Sequence, residues 1–182
     1  VTDFRVVNGQ RGKLALFKLD DKSAMIDARA EEELINANKH LFKDDELIIV
    51  MGKVRDDRFS GGKQLTITQV WDLEQARCRF GKYLRVAVNA AANTAGNGGA
   101  PDVQKLLREF PVKREQTEQG ELVRGLAVRF AVQLGVDEEI AGCKGAEFDL
   151  HLGDNARFYP SDAALAGWRA QADQGKAVIA YD

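Results

Sequence analysis

The stretches Gly12-Lys-Leu-Ala-Leu-Phe-Lys-Leu-Asp-Asp-Lys-Ser-Ala-Met-Ile-Asp27 and Glu46-Leu-Ile-Ile-Val-Met-Gly-Lys-Val-Arg-Asp-Asp-Arg-Phe-Ser-Gly-Gly-Lys-Gln-Leu-Thr-Ile-Thr68 decide the reading of this chain. Each consists of two strand-forming runs around a polar turn, Asp20-Asp-Lys-Ser23 in the first and residues 56–63 in the second. Ser60-Gly61-Gly62 supplies residues that tolerate positive φ at the tip of the second turn.

Working outward, residues 3–7 form a further short strand that ends at the turn pair Asn8-Gly9. The following strands are expected at residues 14–19, 24–28, 47–54 and 64–71. Residues 31–41 lack Gly and Pro and read as a helix with Leu34, Ile35 and Leu41 on its apolar face. Five strands with a helix between the third and fourth predict a five-stranded OB-type Greek-key barrel. Small barrels of the SH3 type share the strand count, and the position of the helix favours the OB order.

Residues 73–80 read as a helix trailing that barrel, giving a first domain over 1–80 and a second over 81–182. The second domain is expected to be small and α+β, with a mixed sheet and two helices on one face. Residues 83–88 alternate as a strand, and the Ala/Gly/Asn-rich stretch 89–100 reads as a loop. Val103, Leu106, Leu107 and Phe110 have helical spacing behind Pro101-Asp102, and Pro111 ends that helix. Residues 126–132 and 148–152 alternate as strands, and residues 155–159 form a short one. Ser161 is placed to N-cap a helix carrying Leu165 and Trp168, and residues 176–181 form a last strand.

Composition narrows the function classes. Of 182 residues, 45% are hydrophobic, enough for packed cores, and no apolar run approaches the ~20 residues that span a bilayer. The charged start Val1-Thr-Asp-Phe-Arg5 carries no Met and no signal peptide, and reads as cut from a longer chain. Cys78 and Cys143 read as reduced thiols of a cytoplasmic protein, and neither His40 nor His151 has metal-ligand spacing from them. No metal or other cofactor is expected. Net charge is −2 overall, and residues 1–80 carry 14 basic and 14 acidic side chains. Any nucleic-acid contact therefore has to come from local placement of charge, and is expected to be weak and salt-sensitive.

The candidate contacts follow from the OB order. Arg11 and Lys13 lie in the loop between strands one and two. Lys53, Arg55, Arg58 and Lys63 flank the loop between strands four and five, with Phe59 at its tip to stack on a base. Asp56 and Asp57 sit among these charges, so a solvated rim is the other reading. Ser60-Gly-Gly-Lys63 lacks the spacing of a phosphate loop. The pairs Asp20-Asp21 and Asp44-Asp45 read as turn carboxylates, and Glu31-Glu-Glu33 as acids at a helix start. Trp71 and Trp168 read as core or interface anchors. No catalytic grouping emerges.

Leu19-Asp-Asp-Lys-Ser23, Leu47-Ile-Ile-Val-Met-Gly-Lys-Val54, Asp57-Arg-Phe-Ser-Gly-Gly62, Leu73-Glu-Gln-Ala-Arg77 and Phe158-Tyr-Pro-Ser-Asp162 resemble the C-terminal part of the bacterial DNA polymerase III alpha subunit. The resemblance implies a non-catalytic fragment of a DNA-directed DNA polymerase, a nucleotidyltransferase whose active site lies upstream. It implies that the OB domain contacts single-stranded template DNA, with Arg11 and Lys13 in the loop that carries this role. It implies that the terminal domain binds the tau subunit of the clamp loader in the replisome. Trp168, Val178, Ile179, Ala180, Tyr181 and Asp182 fall where that contact is expected.

Two features depart from the family pattern. The first loop is poorer in basic residues, and the ending Gln174-Gly-Lys-Ala-Val-Ile-Ala-Tyr-Asp182 has the wrong spacing for a sliding-clamp motif, which speaks against a clamp contact there. Residues 112–125 and 135–145 look longer than the family needs. Two other readings share the barrel: the anticodon-binding OB domain of an aminoacyl-tRNA synthetase, and a protein–protein interaction module.

Overall fold

The computed structural model describes residues 1–9, 12–57, 61–90, 101–117, 120–134 and 146–181. Its backbone divides into two compact units, Val1–Leu73 and Glu74–Asp182. Residues 74–80, read from sequence as part of a helix trailing the first domain, fall in the second of these units.

In the first unit β1 (Thr2–Gly9), β2 (Gly12–Asp20) and β3 (Met25–Glu31) form an antiparallel meander. β4 (Ile49–Asp56) and β5 (Lys63–Trp71) form an antiparallel hairpin. β3 joins the two through a parallel ladder with β5, so the order is β1-β2-β3-β5-β4. The sheet is open among the described residues, with β1 and β4 at its edges and no ladder closing it into the expected barrel. The start of β1 is instead tied to the segment before β4 by single hydrogen bonds. Val1 N donates to Glu46 O (3.1 Å), Asp45 N to Val1 O (2.9 Å), and Phe4 N to Asp44 Oδ1 (2.9 Å).

Alternation sorts the side chains. Ala15, Phe17, Ala28, Ala30, Ile67 and Val70 are buried on one face, with Leu41 and Phe42 beneath them. Phe4, Phe17 and Phe42 form an aromatic cluster with centroids 5.7–6.4 Å apart. The helix expected over 31–41 is only α1, Glu32–Ala37. It stops because Asn38 leaves helical geometry, and Asn38 Nδ2 donates to Leu34 O at 3.0 Å. Asn competes for backbone partners in this way more readily than it continues a helix.

The turn after β2 is closed by one carboxylate. Asp21 Oδ1 accepts from Ser23 Oγ (2.6 Å), Ser23 N (2.9 Å) and Ala24 N (2.9 Å). The Ser23 hydroxyl first, then the Ala24 and Ser23 amides, hold the Asp21 carboxyl down to about 2.

The second unit carries the mixed sheet and the two helices on one face expected for it. β6 (Gly81–Asn89) and β9 (Leu126–Leu134) are parallel at its centre, flanked by antiparallel β12 (Ala177–Tyr181) and β10 (Ala146–His151). The short β11 (Arg157–Phe158) pairs antiparallel with the start of β9, beyond the stretch covered by β10. α3 (Val103–Glu109) and α4 (Asp162–Gln171) supply Leu106, Ala164, Leu165 and Trp168 to a core with Leu84, Val86, Leu126, Val128 and Phe158. Both helices are N-capped by a side chain: Ser161 as read from sequence, and Asp102 where the sequence reads only as a helix start. Asp102 accepts from Lys105 N (3.0 Å), and Ser161 Oγ from Ala164 N (3.2 Å). α2 (Leu73–Phe80) is fixed within this unit by Arg77, which donates to Pro160 O (3.0 Å) and pairs with Asp162 (2.7 Å).

Residues 112–125, read only as an overlong connection, contain a hairpin of β7 (Lys113–Thr117) and β8 (Gly120–Arg124). Diagonal ion pairs link its strands, Arg114–Glu121 (2.8 Å) and Arg124–Glu115 (2.9 Å), and Lys113–Thr117 is polar throughout, so it lacks the apolar alternation that reveals a half-buried strand. From residue 91 the Ala/Gly/Asn-rich stretch lies outside the described residues, as does 135–145.

Two predictions follow from this packing. Between β4 and β5 Thr68 is an extra residue, and next to it a Cβ on Gly52 would lie 2.2 Å from Thr66 O and 3.0 Å from Ile67 Cα. Gly52→Ala should destabilise the first unit by about 1–3 kcal/mol in urea unfolding, the range for overpacking. Because the folded Asp21 carboxyl is depressed, the stability it contributes is full above the ordinary aspartate value of ~3.9 and is lost as pH falls through about 2. A ¹³C carboxyl titration should give Asp21 a midpoint near 2, and Ser23→Ala should raise it.

Candidate nucleic-acid and partner surfaces

Opposite its buried face, the sheet of the first unit presents a row that crosses every strand. Arg5 pairs with Leu16, Leu16 with Arg29, Arg29 with Thr66, and Thr66 with Lys53. Strands lie ~4.8 Å apart, so the three cations repeat at about 10 Å across the sheet. A second row runs Lys18, Asp27, Gln64, Arg55. A groove of about 730 Å³ follows this face, floored by Leu14 and Leu16 and bordered by Arg5, Lys18 and Arg29.

The charges differ in availability. Arg29 Nε donates to Thr66 Oγ1 (2.9 Å), which fixes the guanidinium across the β3–β5 ladder. Lys18 pairs with Asp3 at 2.8 Å; this hydrogen bond, and then the charge attraction, hold the Asp3 carboxyl below and the Lys18 ammonium above their ordinary values. Arg5, Lys53 and Arg55 are exposed and make no ion pair among the described residues. Asp3, Asp27 and Asp57 line the same groove and keep it from being strongly positive.

Of the residues singled out from sequence, Lys53 and Arg55 lie on this face. Lys63 is bound to Asp56 at 2.5 Å, at the end of the β4–β5 hairpin. Lys13 pairs with Asn8, in register with the core face, and so points away from the row. The expected convergence of the two loops on one face therefore does not include Lys13. Arg11, Arg58 and Phe59 lie outside the described residues. Arg5, Lys18 and Arg29 escaped the sequence reading, although strand alternation carries the signal: they alternate with the apolar positions Val6, Phe17 and Ala28. The third strand was expected to stop at residue 28, which cut Arg29 off.

In the second unit the expected partner residues separate sharply. Trp168 is fully buried, with its ring 5.5 Å from Phe158, so it cannot itself form a contact surface. Its Nε1 has no hydrogen-bond acceptor among the described residues. Ile179 packs against the core. Val178 and Tyr181 are 65% and 55% exposed, and Ala180 is half-buried. Asp182 lies outside the described residues. β12 is an edge strand, laddered to β6 alone among the described strands. On the same side of the sheet as Val178, Arg85 pairs with Glu147 (2.6 Å) and Asp149 (3.3 Å), and Arg129 lies 3.8 Å over the Tyr83 ring.

Among the described residues there is no cluster of three metal-ligating side chains, and no helix is long and apolar enough to cross a membrane.

Comparison with known proteins gives the relationship. The chain is 35% identical over 91 residues to DNA polymerase III subunit alpha of Pseudomonas aeruginosa, a match covering 50% of this chain and 8% of that protein. It is 31% identical over 85 residues to the same subunit of Escherichia coli O157:H7, covering 46% and 7%. With that of Neisseria meningitidis it shares 32% over 90 residues, 48% and 8%. About half of this chain is homologous to DNA polymerase III subunit alpha. The matches span less than a tenth of the length of these alpha subunits. No family model and no solved structure matches the chain.

Proposed function

We propose that this chain is a non-catalytic part of a replicative polymerase alpha subunit, whose first unit holds single-stranded template DNA and whose second unit docks the tau subunit of the clamp loader. The observation that carries the first half is the row Arg5–Leu16–Arg29–Thr66–Lys53, in which cations alternate with uncharged residues across five strands. Backbone phosphates would meet the cations and bases would lie on Leu14 and Leu16. Strand order β1-β2-β3-β5-β4, the parallel β3–β5 pair and a helix between β3 and β4 support an OB-type Greek-key reading of this unit. Homology over half the chain supports a place beside a replicative polymerase.

The contact set differs from the one read in the sequence. Arg5, Arg29, Lys53 and Arg55 form the track, and Lys13 leaves it. Carboxylates in the groove make the grip weak, which suits an accessory contact in a protein that holds its template elsewhere. For the tau contact the exposed residues of β12, Val178 and Tyr181, are the working surface, and Trp168 acts only by supporting α4 beneath the sheet.

Binding of a fluorescent oligo(dT) tests the first half. With three to four phosphates engaged, log K should fall with log salt with a slope of about −2 to −3, or roughly 20- to 50-fold between 50 and 200 mM. The triple variant Arg5→Ser, Arg29→Ser, Lys53→Ser should reduce the slope by about 2; an unchanged slope would show that the phosphates lie elsewhere. Preference for a folded tRNA over oligo(dT) would instead favour an anticodon-binding domain.

For the second half, Val178→Asp with Tyr181→Ala should weaken capture of purified tau at least about tenfold at an unchanged melting temperature, the loss expected when central interface residues are truncated. Tau affinity that survives both changes would rule out β12. Deleting the strand is a poorer test, because Ala177 and Ile179 belong to the core.

A further inference from the structure

The core face of the first unit is incompletely covered. Val6 pairs with Ala15, which is fully buried, yet Val6 is 49% exposed. The reason is α1: it has six residues and runs out before it can cover the β1–β2 end of the sheet. What remains is a groove of about 480 Å³ floored by Phe4, Val6, Ile35 and Phe42. That volume lies within the ~300–1,000 Å³ typical of ligand pockets. Phe4 and Phe42 are held by the aromatic cluster, so the floor is preformed.

The rim of this groove is cationic and amide-rich. Lys13 lies on one side and Lys39, in the turn after α1, on the other, and both are exposed. Neither ammonium has an ion-pair partner among the described residues. The side chains of Asn8 and Asn36 also line the groove. The one rim carboxylate, Glu32, is engaged: its Oε2 accepts the Lys13 backbone N–H at 2.9 Å.

We propose that this groove binds an acidic peptide segment of a protein partner, with an aliphatic or aromatic side chain on the Phe4–Val6–Ile35–Phe42 floor and flanking carboxylates on Lys13 and Lys39. Charge complementarity selects an acidic partner, and the apolar floor selects one with a large side chain between its acids. A nucleic-acid strand is better matched by the opposite face of the same sheet, where the cation row lies. The groove also accounts for Lys13, which the outer face does not use. The inference does not depend on the outer-face reading.

The test uses the full chain and a fluorescein-labelled peptide about ten residues long, mostly Asp and Glu, with one Leu and one Phe at its centre. Saturable binding is expected, with amide shifts in ¹⁵N spectra concentrated at Phe4, Val6 and Ile35. Lys13→Glu with Lys39→Glu should weaken it about tenfold or more, as should Val6→Glu. Both lysines are exposed, so the charge-reversal variant keeps the test valid if Val6→Glu fails to fold. A peptide with Leu and Phe replaced by Ser should lose binding; equal binding would reduce the effect to bulk charge and overturn the groove. Absence of saturable binding at millimolar peptide would also overturn it. So would shifts at these amides caused by oligo(dT) that competes with the peptide, which would reassign the groove to nucleic acid.

Discussion

A parallel ladder of three residue pairs, Asp27 with Gln64, Ala28 with Leu65 and Arg29 with Thr66, holds the first unit together. Without it the β4–β5 hairpin would lose its ladder to the β1–β3 meander, and a two-stranded hairpin is marginal on its own. The ladder fixes three things at once. It places Ala28 beside Leu65, so the buried face of the meander continues into that of the hairpin. It places Arg29 beside Thr66, where the two side chains bond and carry the cation row across to Lys53. The Gly52 contact with the Thr66 backbone then sets how closely β4 can approach.

The period of two in this sheet, interrupted at Thr68 and near the start of β1, gives its faces different chemistry. Arg5, Leu16, Arg29 and Lys53 share one face; Val6, Ala15, Ala28 and Val54 share the other. On the second face a short helix leaves the end of β1 uncovered. The same periodicity governs β12 in the second unit, where Ala177 and Ile179 are committed to the core and Val178 remains available. Surfaces on both units are thus by-products of how alternation meets a limited number of covering helices.

Much of the architecture was legible along the chain. The strand–Asp–turn–strand runs, the helix start at Pro101-Asp102, the cap at Ser161 and the alternation of residues 126–132 all mark elements by local chemistry, and the structure has them there. The β7–β8 hairpin was not legible, because charge pairs hold its strands and no buried face imposes a pattern. The apolar spacing to Leu41 carries a helical pattern past the true end of α1, because Asn38 diverts the backbone first. For the candidate site, basic residues next to turns were easy to notice. Arg5 and Arg29, in mid-strand, were not, since nothing local distinguishes a cation on a shared face from one standing alone.

Most strands and helices of the chain, and the turns between them, are readable along the sequence because they rest on near-neighbour chemistry, and the likeness to a polymerase subunit is readable in the residues themselves. Only the tertiary structure decided which cations belong together, that Lys13 and the cation row lie on opposite faces, and that Trp168 is inside while Val178 is outside. Those outcomes depend on register between strands distant in sequence, and a shift of one residue would exchange the two faces.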